Sequence, residues 1–296
     1  MSETTENKTT PFPIKLTPFS LALVGVFAIL VFLSFKQMWT FMYAIWFEAD
    51  SYYSHGVLVP FLAGYLIWNR REAFEKIRIN PTLWGLPLVI LGLFGAIHGK
   101  QIDSQIIHQA SFFAFLFGAS LFILGKQMTK MLSVPYLFLL FMLPLPPFIF
   151  DAYTNQVQVM SSIMANKYLL LMQFATSMPT TSIIQMDHYI LNIGIPCAGF
   201  KLSISLLTLS LFFIALYQLG WWKNLILLAL LYPIAVLMNG LRIAMVGVVG
   251  ELVWVQQGQE SAMYWGQLTH DYSGYLFVFI AFLIFFGLAR LLGWKQ

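Results

Sequence analysis

The run NLILLALLYPIAVLMNGLRIAMVGVV, residues 224–249, decides how the chain must fold. It holds one charged side chain, Arg242, in 26 residues, where about 20 apolar residues already suffice to carry a helix across a bilayer core. Seven more runs of this kind lie around it, at about 18–35, 54–68, 82–98, 106–124, 131–150, 198–219 and 272–292. The expected fold is therefore an all-α integral membrane protein with about eight transmembrane helices. Composition agrees. Of 296 residues, 59% are hydrophobic and 9% charged, against about 25% charged in an average soluble chain. So few charges cannot cover a water-facing surface, and they exclude disorder, a coiled coil and a nucleic-acid partner.

Cations set the orientation. With the N-terminus inside, the cytoplasmic side holds Lys8, Lys15, Arg70, Arg71, Lys76, Arg78, Lys126, Lys130, Lys223, Arg290 and Lys295, leaving Lys36, Lys100, Lys167, Lys201 and Arg242 on the other. That division, 11 against 5, is a positive-inside bias. An even number of spans returns the C-terminus to the cytoplasm, and the segments 36–54, 151–196 and 250–271 face outward. Residues 1–17 form a polar cytoplasmic leader, and 18–296 a single polytopic membrane domain. The first run lacks a small-residue cleavage site, which predicts a retained span and not a removed signal peptide.

Two outer segments carry periodicity of their own. Residues 155–175 place Val157, Met160, Ile163, Met164, Tyr168, Leu171 and Phe174 at helical spacing among polar residues, which predicts an amphipathic helix in the outer interface. Residues 181–195 alternate in part, with Tyr189, Leu191, Ile193 and Ile195 around Asp187 and His188. This predicts a short hairpin before the sixth span.

Polar groups at membrane depth need a reason, and four places stand out: Ser54-His55-Gly56, Pro196-Cys197-Ala198-Gly199-Phe200, Asn239-Gly240-Leu241-Arg242, and His270-Asp271 with Gly274. Cys197 is the only cysteine, so the chain forms no internal disulfide and no cysteine zinc site. A lone membrane cysteine is ordinarily a small buried apolar residue. Cys197, however, opens a helix after a proline, where unpaired N–H groups and the helix dipole favour a thiolate. Arg242 has two readings, a side chain that snorkels to the headgroups or a fixed donor for a thiolate or oxyanion. Asn239, three residues earlier on the same helical face, could orient it. His270 stands just before the eighth span. The topology brings Cys197, Arg242 and His270 to one level on three consecutive spans, supplying a nucleophile, an oxyanion stabiliser and a general acid/base. His188, beside Asp187, competes for the acid/base role. His55 lines the same cavity or makes a structural hydrogen bond, and His98 and His108 flank a short outer loop. No metal-ligating pattern and no cofactor motif is present in the sequence.

With these residues in hand, the chain resembles the exosortase/archaeosortase family of polytopic membrane cysteine peptidases. The Ser54-His55-Gly56 segment with Val59-Pro60 and Tyr65 to Trp68 is similar to the family's N-terminal signature. Pro196 to Phe200 resembles its cysteine motif, Asn239 to Ile243 its Asn-x-x-Arg motif, and His270 with Gly274 its histidine motif. The resemblance implies a peptidase or transpeptidase without a cofactor, in the bacterial inner membrane with its site facing the periplasm. Its implied substrates are secreted proteins ending in a short motif (Pro-Glu-Pro in many bacteria), one transmembrane helix and a basic tail, with an amine-bearing acceptor as a possible second partner. By position, Cys197 would be the nucleophile, Arg242 the oxyanion or thiolate stabiliser and His270 the acid/base. The alternatives are a transferase or a transporter component of exopolysaccharide export. A transporter predicts polar groups through the midplane and an inverted repeat. A transferase predicts paired acids, and the outer acids are scattered.

Overall fold

A computed structural model describes residues 29–48, 51–194, 199–217 and 220–293. Among them, five helices are long and apolar enough to cross a membrane: Leu83–Gln101, Gln105–Leu124, Phe200–Tyr217, Trp221–Gln257 and Gln259–Leu291. A sixth joins them if Lys126–Met142 and Pro147–Leu171, interrupted by Pro144 and Pro146, are one broken span. Many large apolar side chains point outward, Trp84 at 81% and Phe61 at 73% exposure among them, as a surface solvated by lipid allows. The all-α membrane architecture thus stands, with two differences from the expected eight spans. The expected span 54–68 is a 3₁₀ turn, Ser54–Val57, followed by an 11-residue helix, Val59–Asn69, about 16 Å long at 1.5 Å per residue. The described part of the first span is helical over 29–34 and, after a turn at Phe35, continues as the helix Lys36–Phe47, while 18–28 lie outside the described residues.

The chain divides into two compact units, Met1–Ile45 with Pro60–Leu143, and Trp46–Val59 with Pro144–Gln296. In the first unit the helices are α1 (Lys36–Phe47, which runs on into the second), α2 (Val59–Asn69, from Pro60), α3 (Arg71–Glu75), α4 (Leu86–Gln101), α5 (Gln105–Leu124) and α6 (Lys126–Phe138). The α4 and α5 helices touch backbone to backbone. A Cβ on Gly92 would stand 2.6 Å from Phe115 N, and one on Gly99 2.9 Å from His108 N. His98 is exposed on α4, while His108 is buried, its ring edge-on to Phe35 at 5.7 Å. His108 is thus packed inside the first unit.

The second unit is built on two long helices. α7 (Pro147–Leu171) precedes a small antiparallel sheet of β1 (Ser177–Thr180), β2 (Ile183–Gln185) and β3 (Ile190–Asn192), in the order β1-β2-β3. After α8 (Phe200–Tyr217) come α9 (Trp221–Gln257, 37 residues) and α10 (Gln259–Leu291, 33 residues). At 1.5 Å per residue these two run about 55 and 50 Å, well beyond the roughly 30 Å hydrocarbon core. The segment 250–271, expected as a loop, is therefore mostly the water-side continuation of both helices. The turn between them is Gly258, at φ 85°, with its N–H on Trp254 O at 2.9 Å. Only glycine adopts that conformation without strain.

The α9 helix has two working faces. Leu227, Leu231, Ile234, Ala235 and Met238 pack with Leu202 and Leu206 of α8 and Phe277, Ala281, Phe285 and Ala289 of α10. The other face is small: a Cβ on Gly240 would lie 2.7 Å from Met164 Cβ and 3.1 Å from Ser161 O of α7, and one on Gly247 2.8 Å from Leu191 Cδ1 of β3. Ile243, Ala244 and Val246 complete this face beneath Ile184, Met186, Leu191 and Ile193.

The expected hairpin is present, with β2 and β3 paired as Ile184↔Leu191 and a third strand added on the far side. The expected amphipathic helix starts earlier and ends at Leu171, and its buried face is wider than the apolar stripe. Val157, Ser161, Ser162, Ala165 and Leu169 are buried, whereas Met160 is 47% and Leu171 79% exposed. Val157, Met164, Tyr168 and Phe174 of the expected stripe do pack inward, and the small residues Ser161, Ser162 and Ala165 widen that face, as close helix contact in lipid favours.

Gly240→Ala should therefore destabilise the protein by about 1–3 kcal/mol through overpacking against α7. Gly287→Ala, at a helical position with nothing within 4 Å, should be neutral or stabilise by about 0.5–1 kcal/mol. Thermal unfolding of the two variants in detergent checks the contrast.

Candidate functional site

Arg242 projects from α9 and is received by α10. Its Nη2 donates to His270 O at 3.0 Å and lies 3.2 Å from His270 Nε2, and its Nε donates to Ser273 Oγ at 3.4 Å. Ser273 in turn donates to His270 O at 3.3 Å. A half-buried guanidinium is thus held by groups one helical turn apart on a single neighbour, so Arg242 is no snorkelling side chain. His270 lies within a helix, not in a loop, because α10 begins eleven residues before it.

The geometry fixes the histidine tautomer. Arginine only donates, so Nε2 of His270 accepts and its proton sits on Nδ1. That Nδ1 is 3.1 Å from Asp271 Oδ1, which also accepts from Gln267 Nε2 at 2.8 Å. The result is a carboxylate–imidazole–guanidinium chain, with the His270 side chain 20% exposed and Asp271 52%. Gly274, part of the histidine motif, is not demanded by crowding. A Cβ there would meet Arg242 Nη2 at 3.6 Å, an ordinary contact.

Cys197 lies outside the described residues, and the chain on both sides of it is anchored. Before it, Ile193 N–H donates to Ser182 O at 2.7 Å, and Ile193 O accepts from the Gln158 amide. After it, Gly199 turns at φ 77°, and a Cβ there would stand 2.7 Å from Asn239 Cγ. The fully buried Asn239 is thus packed on the backbone two residues beyond Cys197, on the same α9 face as Arg242.

Phe200, 1% exposed, is the next anchor. Its ring meets Phe150 at 4.6 Å, Tyr53 at 5.8 Å, Tyr52 at 5.9 Å and Tyr153 at 6.1 Å. The Tyr52–Gly56 string therefore folds against the residue that ends the cysteine motif, and His55 sits in its 3₁₀ turn with its ring 6.3 Å from Tyr53. Tyr53 Oη accepts from Leu145 N–H at 3.0 Å. Burial pushes this phenol up from its ordinary value, the hydrogen bond offsetting part of the effect, so it is a neutral partner at physiological pH.

The competing histidine goes elsewhere. His188 Nδ1 lies 2.7 Å from Glu251 Oε1, and the N–H groups of His188 and Tyr189 donate to Glu251 Oε2 at 3.2 and 2.8 Å. Glu251 is nine residues beyond Arg242 on α9, roughly 13 Å along the axis. The structure thus pairs Arg242 with His270 and fastens His188, in the hairpin turn, to Glu251 of α9. Tyr189 completes the fastening, its ring set where a Cβ on Gly250 would be 2.5 Å away and against Gly266 of α10.

Between β3, α9 and α10 opens a cavity of about 190 Å³, lined by Tyr189 to Ile193, Arg242, Ile243, Val246, Met263, Gly266, Gln267 and His270. A cation and an imidazole face it from one side and a strand from another. The motif segments 52–56, 199–200, 239–242 and 270–274 are joined by these contacts into one chain of neighbours. A model of the transmembrane exosortase family matches residues 45–287, a stretch that contains all of them. The chain belongs to that family. No curated protein and no solved structure matches it.

Sequence reasoning did not single out two residues of this exosortase's site region. Ser273 completes the surroundings of Arg242 and His270, and Glu251 clamps the hairpin. Glu251 had a usable signal, a lone carboxylate beside an apolar run, which calls for a named partner. Its partners are the His188 ring and two main-chain N–H groups, and the latter leave no mark in the sequence.

Glu251→Ala should leave the His188 and Tyr189 N–H groups unpaired, a loss of about 1–3 kcal/mol. Hydrogen exchange at those two amides should accelerate about tenfold or more, and unchanged exchange would show that the clamp does not hold the turn.

Proposed function

We propose that this exosortase is a thiol peptidase or transpeptidase that removes the C-terminal sorting signal of secreted proteins at the outer face of the bacterial inner membrane. The observation that carries the reading is the Asp271–His270–Arg242 chain on the wall of a cavity, with Gly199, two residues from the only cysteine, packed on the same face of α9. Two residues of chain reach about 7 Å at most, which keeps a thiol at position 197 near that face. The outer placement is supported by the cation bias of the sequence.

Cys197 is the nucleophile, His270 the acid/base and Arg242 the oxyanion donor. The Cys197 proton passes to Nε2 of His270 as sulfur attacks the scissile carbonyl carbon. Nη2 of Arg242 turns from Nε2 to the developing oxyanion, where a fixed charge in a water-poor site acts strongly. The C–N bond then breaks, and Nε2 returns its proton to the departing amine, which leaves with the transmembrane tail. An acceptor amine or water next gives its proton to Nε2 and attacks the thioester, and the sulfur departs to regain a proton. Asp271 holds His270 in the tautomer whose Nε2 can accept.

The test is a tagged secreted protein from the same genome, ending in a motif, one transmembrane helix and a basic tail, followed by size in cells. Cys197→Ala should abolish processing at equal membrane levels of enzyme, and Arg242→Lys should slow it about 10²–10³-fold, as for loss of one oxyanion donor. Processing that survives Cys197→Ala would overturn the thiol mechanism.

A further inference from the structure

The two edges of the small sheet are unlike. β1 carries Pro179 and an irregular register between Ser177 and Thr180, features that blunt an edge against pairing. β3 has neither, and its residues line the cavity that Arg242 and His270 share.

The direction of the β3 main chain follows from the hairpin ladder. Met186 N–H donates to Tyr189 O at 3.0 Å, and Ile193 N–H to Ser182 O at 2.7 Å. Hydrogen-bonded pairs alternate along an antiparallel ladder, so Tyr189, Leu191 and Ile193 occupy the positions paired with β2, the Tyr189 N–H and the Ile193 C=O at the two ends going instead to Glu251 and Gln158. Ile190 and Asn192 occupy the alternate positions, opposite Gln185 and Ile183, and turn theirs away from the sheet. Asn192 O already accepts from Gly194 N–H at 3.2 Å, which leaves the N–H and C=O of Ile190 and the N–H of Asn192 as the edge's own donors and acceptor. Groups at alternate positions along an edge match one kind of occupant well, the main chain of another extended segment.

We propose that the substrate binds as a fourth strand on β3, its main chain paired with Ile190 and Asn192, and that this pairing carries the scissile carbonyl to Arg242 and His270. The proposal rests on the peptidase reading and adds what that reading leaves open, the conformation in which the substrate is recognised. The segment ahead of the substrate's transmembrane helix must be extended over three or four residues. The opposite wall, from Met263 to His270 of α10, faces the added strand's other side, where Gln267 can meet its free groups. The clamp of Glu251 on His188 and Tyr189 then acts as a positioning device, because it sets β3 relative to Arg242. Main-chain pairing fixes register while tolerating varied side chains.

Disulfide mapping tests this without catalysis. In the Cys197→Ala protein, Ile190→Cys and Asn192→Cys are each tried against single cysteines placed through the ten residues ahead of the transmembrane helix of the reporter used above. The expected result for each position is a strongest cross-link at one reporter residue and weaker ones two residues away, none at the residues between, with the maximum for position 192 displaced two residues from that for 190. Cross-links at three- and four-residue spacing, at every position alike, or at none in a reporter that the native enzyme processes would overturn the strand proposal. Period-two cross-links in a reporter whose processing survives Cys197→Ala would uphold the strand site while the thiol chemistry falls. In the native background Ile190→Pro removes one outward N–H without touching the ladder to β2, and it should slow processing at least tenfold. An unchanged rate at equal membrane levels counts against the pairing.

Discussion

Close approach along one face of α9 is the constraint on which the second unit depends. Between helices in lipid the hydrophobic effect supplies little, so packing and satisfied polar groups must hold them. Gly240 lets α7 come to backbone distance, and Gly247 and Gly250 admit Leu191 and Tyr189 of the sheet. A side chain at any of the three would push away the element resting there. Glu251 stands one residue beyond this glycine row and turns contact into registration, since three hydrogen bonds to one carboxylate fix the hairpin turn along the helix. The height of β3 above Arg242 is thus set by residues that touch neither Arg242 nor His270.

Hydropathy made the membrane class and the long helices legible, because the bilayer imposes a length that the sequence must meet. It misled where that length was treated as the length of the helix. The runs 224–249 and 272–292 are the apolar parts of longer helices, and the polar residues between them continue both. Residues 54–68 show the reverse error. Apolar character continued there although the chain bends in a 3₁₀ turn that presents Tyr52 and Tyr53 to Phe200. On α7 the stripe of large apolar residues was visible and in part packs inward, but the small residues Ser161, Ser162 and Ala165 that share the contact carried no such signal.

Within the site, the encounter of Arg242 with His270 was readable because a guanidinium at membrane depth compels a partner on a neighbouring span. Asn239 was readable for the same reason, three residues away on the same face, although what it meets is the backbone of Gly199. Ser273 was not, since a serine one turn from a histidine carries no distinctive pattern. Glu251 was visible as a charge but not as a clamp. Its function depends on a chain reversal around Asp187 and His188 that brings two N–H groups to one carboxylate.

The same compulsion explains why the arginine and the histidine face each other directly. A guanidinium has donors alone, so its contact with His270 occupies the lone pair a general base would use, and Asp271 accepts a hydrogen bond from the N–H of the other nitrogen. Under the proposed roles the base is therefore covered while the cavity holds no substrate. A carbonyl acquiring negative charge is a stronger acceptor than a neutral imidazole, so it draws Nη2 from Nε2 and uncovers the lone pair as the thiol must lose its proton. Oxyanion stabilisation and base activation then become one movement of one side chain. An ammonium on a flexible stem offers three donors without the rigid fork that spans Ser273, His270 and the oxyanion. Lysine at 242 would therefore keep the charge while losing the coupling.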